Sequence, residues 1–562
     1  MIAHFTTAER LTHAVAAERA GRTAEAKAIA LALVAIDSGD ARLLNDLGSL
    51  LMRLGEPGKA ASVFGSAKRI DPANSELVLN QAIAFTAIGK CDEAMAVLKP
   101  LERTAGKQAR YWSIRANAAR QTNQLTEARR CYMQALRCDP AYSKAQQGLA
   151  QVALERGELN TVALFDEALR SDPGNPYLWR GKAEALDSAG DRAGALQIAR
   201  QIVQQAPRWI GGLDLLAQLR LGAGETDYTS HYAEAADRYA DDPNIPIAWI
   251  AVLAGLDNFS KAAEVAQKAA TRFPALEHFK LLEAVHAGGA GDDCRAEALF
   301  ATLTIYTAER YLHEARHRIR LAAFDLAEQL LAGVLDKELW NVGAWALRDL
   351  VWRATGDSRH HWLHGQEGLV RKLPLIGDPA LLPEVIAKLR DVHARSALPL
   401  NQSLRGGTQT RGSLFARHEP IFGQLKEAIE RTLAVYQDRL PRPDATHPLL
   451  RYGESVWSLA GSWSVRLTGG GDHHTAHIHP QGIVSSALYL AVPEHVSGDA
   501  LLELGRPPPD LRLDLSPLTV VEPEAGFLAL FPSTLYHGTT SFGCGERMSV
   551  AFDVIANHRD SI

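Results

Sequence analysis

Apolar and small residues in the first two hundred or so positions recur with two superposed periods. Within a stretch the spacing is helical: Leu47, Leu51 and Leu54 fall on one stripe, and Phe64 supplies an apolar position in the next stretch. Over a longer range one period holds: Gly21, Gly55 and Gly89 stand 34 apart, and later steps fall on Asn123, Gly157, Gly190 and Gly224. In phase with them run Ala26, Ala60, Ala94, Ala128, Val162 and Ala195. A third column holds Asp71-Pro72, Asp139-Pro140, Asp172-Pro173 and Ala206-Pro207. These columns predict two helices per period. Glycine or asparagine accepts the positive φ where the first helix ends. A small alanine early in the second helix lets the two backbones approach. The proline falls just past the second helix, where it can begin another helix but not continue the last.

In LGSLLMRLGEPGKAASVFGSAKRIDP the residues Leu47-Gly48, Gly55, Ala60, Phe64 and Asp71-Pro72 stand at the signature positions of the tetratricopeptide repeat. Residues 8–225 resemble that family. From about 226 to 375 the phase decays, although DNFSKAAEVAQKAATRFP still reads as a second helix ending at Pro274. AERYLHEARHRIRLAAFDLAEQLLAGVL is again helical. The expected division is a repeat array over 1–225, degenerate helical repeats that cap it over 226–380, and a different domain over 381–562. The resemblance implies a concave groove that binds a protein or peptide.

After about residue 376 the pattern changes. Pro, Gly and Thr clusters appear, and helical periodicity returns once, in HEPIFGQLKEAIERTLAVYQDRL, a helix expected to pack on the outside of the C-terminal domain. From 452 onward short apolar runs alternate with turn signals: SWSVRLT, GIVSSALYLAVP, ALLELG, LTVVEP, GFLALFP and RMSVAFDVI. Such a series predicts a β-sandwich or barrel.

Composition narrows the class. The 562 residues carry 46% hydrophobic and 22% charged residues and a formal charge of −5, which gives no electrostatic case for nucleic acid or an anionic membrane. The five cysteines (Cys91, Cys131, Cys138, Cys294, Cys544) are odd in number and lack CxxC spacing, which suits reduced thiols in a cytoplasmic protein. The start reads as an amphipathic helix, and no apolar run approaches the ~18–20 residues of a membrane span. Cytoplasm is the expected location.

The histidines carry the chemistry. GDHHTAHIHP holds His473, His474, His477 and His479. On an extended strand His477 and His479 share a face and converge. His537 stands 58 residues after His479, behind the apolar run Phe527–Phe531. Arg547 and Ser549 are also two apart, and a permanently charged fork beside a hydroxyl suits a carboxylate. This order resembles the iron(II)/2-oxoglutarate-dependent oxygenases of the double-stranded β-helix (jelly-roll, cupin-like) fold. SWSVRLTGGGDHHTAHIHPQGIVSSALYLAVP with FPSTLYHGTTSFGCGERMSVAFDV is particularly similar to a bacterial 2-oxoglutarate/Fe(II) oxygenase family often fused to tetratricopeptide repeats. The similarity covers roughly residues 395–560.

The expected architecture is therefore an all-α tetratricopeptide solenoid followed by a double-stranded β-helix domain. The resemblance implies that His477 and His537 hold Fe(II), and that Arg547 and Ser549 grip the far carboxylate of 2-oxoglutarate. It also implies that Tyr489 adds a phenol to that pocket. Where relatives usually carry His-x-Asp/Glu, this chain has His479. Three readings stay open: a third imidazole ligand, a ring turned away by Pro480 to leave a two-histidine site with water, or a carboxylate such as Asp472 or Glu503. His473 and His474 read as solvated loop residues or outer donors, Trp463 as core, Gly526 as a turn residue and Cys544 as incidental. Mn, Co, Ni and Zn also accept histidine. The implied activity is hydroxylation of a C–H bond by O2, with 2-oxoglutarate consumed to succinate and CO2, on a protein or peptide held by the repeats. The competing expectations are an interaction scaffold with a degenerate or sensory oxygenase-like domain, a small-molecule oxygenase with structural repeats, and a three-histidine dioxygenase needing no 2-oxo acid. The oligomeric state is not legible.

Overall fold

The computed structural model describes residues 6–36, 38–493 and 499–557, so the first five residues of the expected N-terminal helix lie outside it. The chain forms two compact units, Met1–Lys182 and Ala183–Ile562.

The first unit is built from antiparallel helix pairs, among them Ala41–Arg53 with Pro57–Ile70 and Ala109–Gln121 with Leu125–Cys138. The turn column behaves as its residue types require. Gly55 has φ 75°, and Asn123, which replaces glycine in that column, still takes φ 59°. Ala26, Ala60, Ala94 and Ala128 are fully buried between helices, while Val162 is half-buried. The proline column falls after the second helices, which end at Ile70, Cys138 and Ser171. Glycine lets an aromatic ring of the neighbouring helix come close: a Cβ on Gly48 would lie 2.6 Å from the Phe64 ring. Cys131 is buried and Cys138 half-buried, both free thiols in the packing.

In the second unit helical pairs continue through Arg192–Gln205, Ile210–Gly222, Phe259–Arg272, Ala308–Arg320, Phe324–Leu335 and Val342–Thr355. An antiparallel sheet region comes next. Its strands are β1 (Arg371–Pro374), β2 (Leu404–Arg405), β3 (Thr408–Gln409), β4 (Val456–Gly469), β5 (His473–His474) and β6 (Val484–Ala491). They continue with β7 (Leu502–Leu504), β8 (Thr519–Val521), β9 (Phe527–Pro532), β10 (His537–Thr539) and β11 (Cys544–Asn557). All six strand runs read from the sequence form strands. A six-stranded sheet has the order β1-β9-β6-β11-β4-β3, a three-stranded one β10-β7-β8, and β2 pairs with β5. Every pairing between these strands is antiparallel. The architecture is consistent with a jelly-roll-like domain.

Alternation sorts the large sheet into two faces. Leu488, Leu528, Leu530, Met548, Val550, Phe552 and Val554 point outward into a core with Phe422, Leu425, Ile429 and Tyr436. Those four belong to helix Pro420–Asp438, which packs on the outside as the sequence predicts. The inward face carries Tyr489, Ala529 and Phe531 against Leu502, Leu504 and Val521 of the small sheet. The preceding helices are fastened to the sheets by long-range polar contacts. Gln218 bonds Leu398 O and Leu400 N at 2.9 and 2.8 Å, and Arg405 pairs with Asp257 at 2.6 Å. Arg316 forks onto Asp510 at 2.8 and 2.7 Å and donates to Tyr536 Oη at 3.0 Å.

This packing has two measurable outcomes. Gly48→Val forces Phe64 aside and is expected to destabilise the first unit by roughly 1–3 kcal/mol, read as a lower midpoint in urea. Burial depresses His231, His286, His313, His393 and His447 to about 4 each. The unfolded chain therefore binds more protons than the folded one between pH ~6.5 and ~4. The stability these neutral rings contribute is fully present above pH ~6.5 and lost as pH falls through that window. The melting temperature should drop on acidification from pH 7 to 5, and His447→Gln should flatten the slope.

Candidate functional site

The inward face of the sandwich gathers the polar residues that the outward face excludes. On β11, Arg547, Ser549, Ala551 and Asp553 alternate with the outward Met548, Val550 and Phe552. On the neighbouring β6, Tyr489 sits opposite Ser549 and Ser485 opposite Asp553. His537 opens β10, and a two-way backbone pairing with His477 (both N···O distances 2.9 Å) brings the distant histidine to the first pair.

His477, His479 and His537 form a cluster whose candidate ligand atoms all lie within 4.8 Å of one another. The His477 and His479 Nε2 atoms are 3.1 Å apart. Two nitrogens each about 2.1 Å from one metal and at right angles would be separated by about 3.0 Å, so this pair fits neighbouring coordination positions. The other nitrogens are occupied: His477 Nδ1 lies 2.9 Å from Thr475 O, His537 Nδ1 lies 3.2 Å from Leu535 O, and His479 Nδ1 meets Asp553 Oδ1. Burial, reinforced by neighbouring histidines, pushes His477 down to about 3 and holds His537 and His474 well below the ordinary range. His477 and His537 are thus neutral near pH 7, the form that ligates a metal.

Arg547 is 3% exposed, and no carboxylate among the described residues pairs with it. Its Nε and the Tyr489 hydroxyl are both buried without a hydrogen-bond partner. The guanidinium carbon stands 5.5 Å from the Tyr489 ring centroid, and burial lowers the Arg547 pKa below its ordinary value. Ser549 is buried on the same face. A buried cation with open donors beside an unpaired phenol and a hydroxyl is the environment a ligand carboxylate completes.

The remaining nominated residues lie elsewhere. Asp472 Oδ2 accepts from Thr468 N at 3.0 Å within its turn, and Glu503 pairs with Arg506 at 2.7 Å. Neither belongs to the histidine cluster. His473 Nδ1 faces Gly471 O at 2.8 Å. His474 sits closer in, with Nδ1 3.2 Å from Ser403 Oγ and its ring 5.9 Å from His477. Trp463 is half-buried with its ring 5.5 Å from His479. Gly526 has φ 85° in its turn, and Cys544 is exposed. Sequence reasoning missed Asp553, although the two-residue step Arg547, Ser549, Ala551, Asp553 carries the signal. It also missed Asp257, Leu312, Arg316 and Leu347, which with Asn401 and Tyr536 line a cleft of about 350 Å³ reaching His477.

This ensemble is a histidine cluster and an unpaired arginine inside a jelly-roll-like sandwich. Residues 461–553 match the family described as "Putative 2OG-Fe(II) oxygenase". Tetratricopeptide repeat families match over 11–75 and 115–160, and over 51–118 and 160–219. The chain thus carries tetratricopeptide repeats followed by a region of that oxygenase family, for which Fe(II), 2-oxoglutarate and O2 are implied. Among curated proteins, FlbA of Caulobacter vibrioides is 25% identical over 222 residues, 40% of this chain and 33% of that protein. The match thus spans a third of that relative's length. A tetratricopeptide repeat protein from Parabacteroides merdae is 17% identical, with 43% of this chain and 97% of that one covered at a TM-score of 0.35. A thermophilic repeat protein of Thermus thermophilus is 20% identical, with 34% and 99% covered at 0.29. No helix among the described residues is long and apolar enough to cross a membrane.

His537→Ala is expected to weaken Co(II) binding by more than the ~10–100-fold typical of an outer-shell change, measured by isothermal titration of metal-free protein. His473→Ala should stay within about threefold of wild type, below that outer-shell range.

Proposed function

We propose that this protein is a 2-oxoglutarate- and Fe(II)-dependent oxygenase that hydroxylates a protein or peptide side chain. The observation that carries the reading is Arg547, a buried guanidinium without an acidic partner among the described residues, on the inward face of the strand whose Asp553 meets one of three converging histidines. Leaving such a cation unpaired costs several kcal/mol, which a bound dicarboxylate offsets. In this reading His477, His479 and His537 hold Fe(II) through their inward nitrogens. Arg547 and Ser549 take the far carboxylate of 2-oxoglutarate, and Tyr489 donates its free hydroxyl to the same group. The chemistry supplied at such a centre is oxidative decarboxylation of 2-oxoglutarate coupled to C–H hydroxylation.

This chain's residues orient and shield. Phe531, whose ring centroid is 4.8 Å from that of His537, closes the apolar side of the histidine cluster. The cleft beside His477 gives a side chain access, and its wall is partly helical: Leu312 and Arg316 come from one helix and Leu347 from another. Tetratricopeptide repeats mediate protein–protein contacts in general. Here they would raise the local concentration of a tethered substrate segment.

The test is an anaerobic titration of metal-free protein with Fe(II) and then 2-oxoglutarate, tracking the weak visible charge-transfer band of a chelated 2-oxo acid. The band should appear in wild type and vanish in His537→Ala. Arg547→Ala should need about 10–100-fold more 2-oxoglutarate, the loss of a charged hydrogen bond at ~1.5–3 kcal/mol. Fe(II) binding without any such band would favour a three-histidine dioxygenase without a 2-oxo acid, and a band indifferent to Arg547→Ala would overturn the role given to Arg547. Failure of Fe(II) to bind would sink the enzyme reading.

A further inference from the structure

Each of the three clustered imidazoles has its Nδ1 against an acceptor. For His477 and His537 that acceptor is a backbone carbonyl two residues upstream, Thr475 O and Leu535 O. A local acceptor fixes the Nδ1 of each of those two rings. His479 has no such carbonyl. Its Nδ1 is met by Asp553 Oδ1, a carboxylate 74 residues away on β11. Chain continuity therefore orients two rings, and a tertiary contact orients the third.

We propose that Asp553 is the positioning residue that makes His479 a metal ligand. The inference rests on the metal-centre reading above and resolves its open third position. Asp553 accepts the Nδ1 proton, which fixes the tautomer with the Nε2 lone pair directed at His477 Nε2, 3.1 Å away. The fold prepares the contact. The unbroken alternation of β11, with Phe552 and Val554 in the outer core, turns Asp553 inward. The Trp463 ring, 5.5 Å away, flanks the imidazole. The His-x-His departure from His-x-Asp/Glu thus acquires a physical account: the carboxylate is supplied behind the imidazole, from another strand.

The experiment is Co(II) titration of the metal-free full-length protein, monitored by visible absorption, without 2-oxoglutarate and without turnover. Asp553→Ala is expected to weaken Co(II) binding about 10–100-fold and to alter the intensity of the d–d band. In a His479→Ala background, adding Asp553→Ala should weaken binding by less than about threefold, because a residue acting through His479 has nothing left to orient. A purely structural role would lower the melting temperature but leave affinity and band unchanged, and would overturn the proposal. So would an equal loss with and without His479. Should Asp553→Ala fail to fold, the isosteric Asp553→Asn carries the same cycle, with a loss of about threefold or more expected in the wild-type background and none beside His479→Ala. If wild type binds no Co(II), the metal-centre reading falls first and this one with it. Binding by wild type with indifferent variants overturns this one alone.

Discussion

The strand β11 is the constraint on which the rest depends. Paired on both edges, with β4 and β6, it has no freedom to slip, because a one-residue shift would exchange its two faces. Met548, Val550, Phe552 and Val554 are committed to the core beneath helix Pro420–Asp438. That commitment drives Arg547, Ser549 and Asp553 inward, where water is scarce and each polar group needs a partner. The apolar half of the strand is thus what holds the polar half in place. Neighbouring β6 obeys the same alternation, so Tyr489 is delivered to Arg547 by the burial of Leu488 and Leu490.

Inside the sandwich the polar groups are unequally satisfied. The histidine Nδ1 atoms all face acceptors, whereas Arg547 Nε and the Tyr489 hydroxyl face none. A folded chain keeps such an imbalance only where packing enforces it, and it marks where a charged ligand would be most strongly held. Arg547 and Ser549 sit on the large sheet, whereas His537 opens β10 of the small sheet, with His477 bridged to it, so the two halves of a chelating cosubstrate would be gripped from opposite sides of the sandwich.

Much of this is legible in the sequence, for reasons that differ by element. The repeats are readable because Gly55 and Asn123 answer to a local rule, left-handed backbone at a helix end, that needs no tertiary information. The strands are readable because each is a short apolar run bounded by turn residues. The meeting of His477, His479 and His537 comes from spacing together with a resemblance. The carboxylate behind His479 and the helical wall of the cleft are not legible in the same way. Asp553 reaches a residue 74 positions away, and Arg316 reaches one 220 away, so only the assembled topology creates those contacts. Asp553 is nonetheless visible as a polar residue in step with Arg547 and Ser549.

The clasp between helix Ala308–Arg320 and the sheet has a consequence of its own. Arg316 holds both oxygens of Asp510 with one arm of its fork and the hydroxyl of Tyr536, the residue directly before His537, with the other. A shift of that helix must strain a half-buried ion pair or carry the residue before β10 with it. A ligand that moved that helix would therefore act on the residue before His537, and the coupling would be reciprocal: occupancy of the histidines would change that ligand's affinity by the same factor. The point of contact lies one residue from the site.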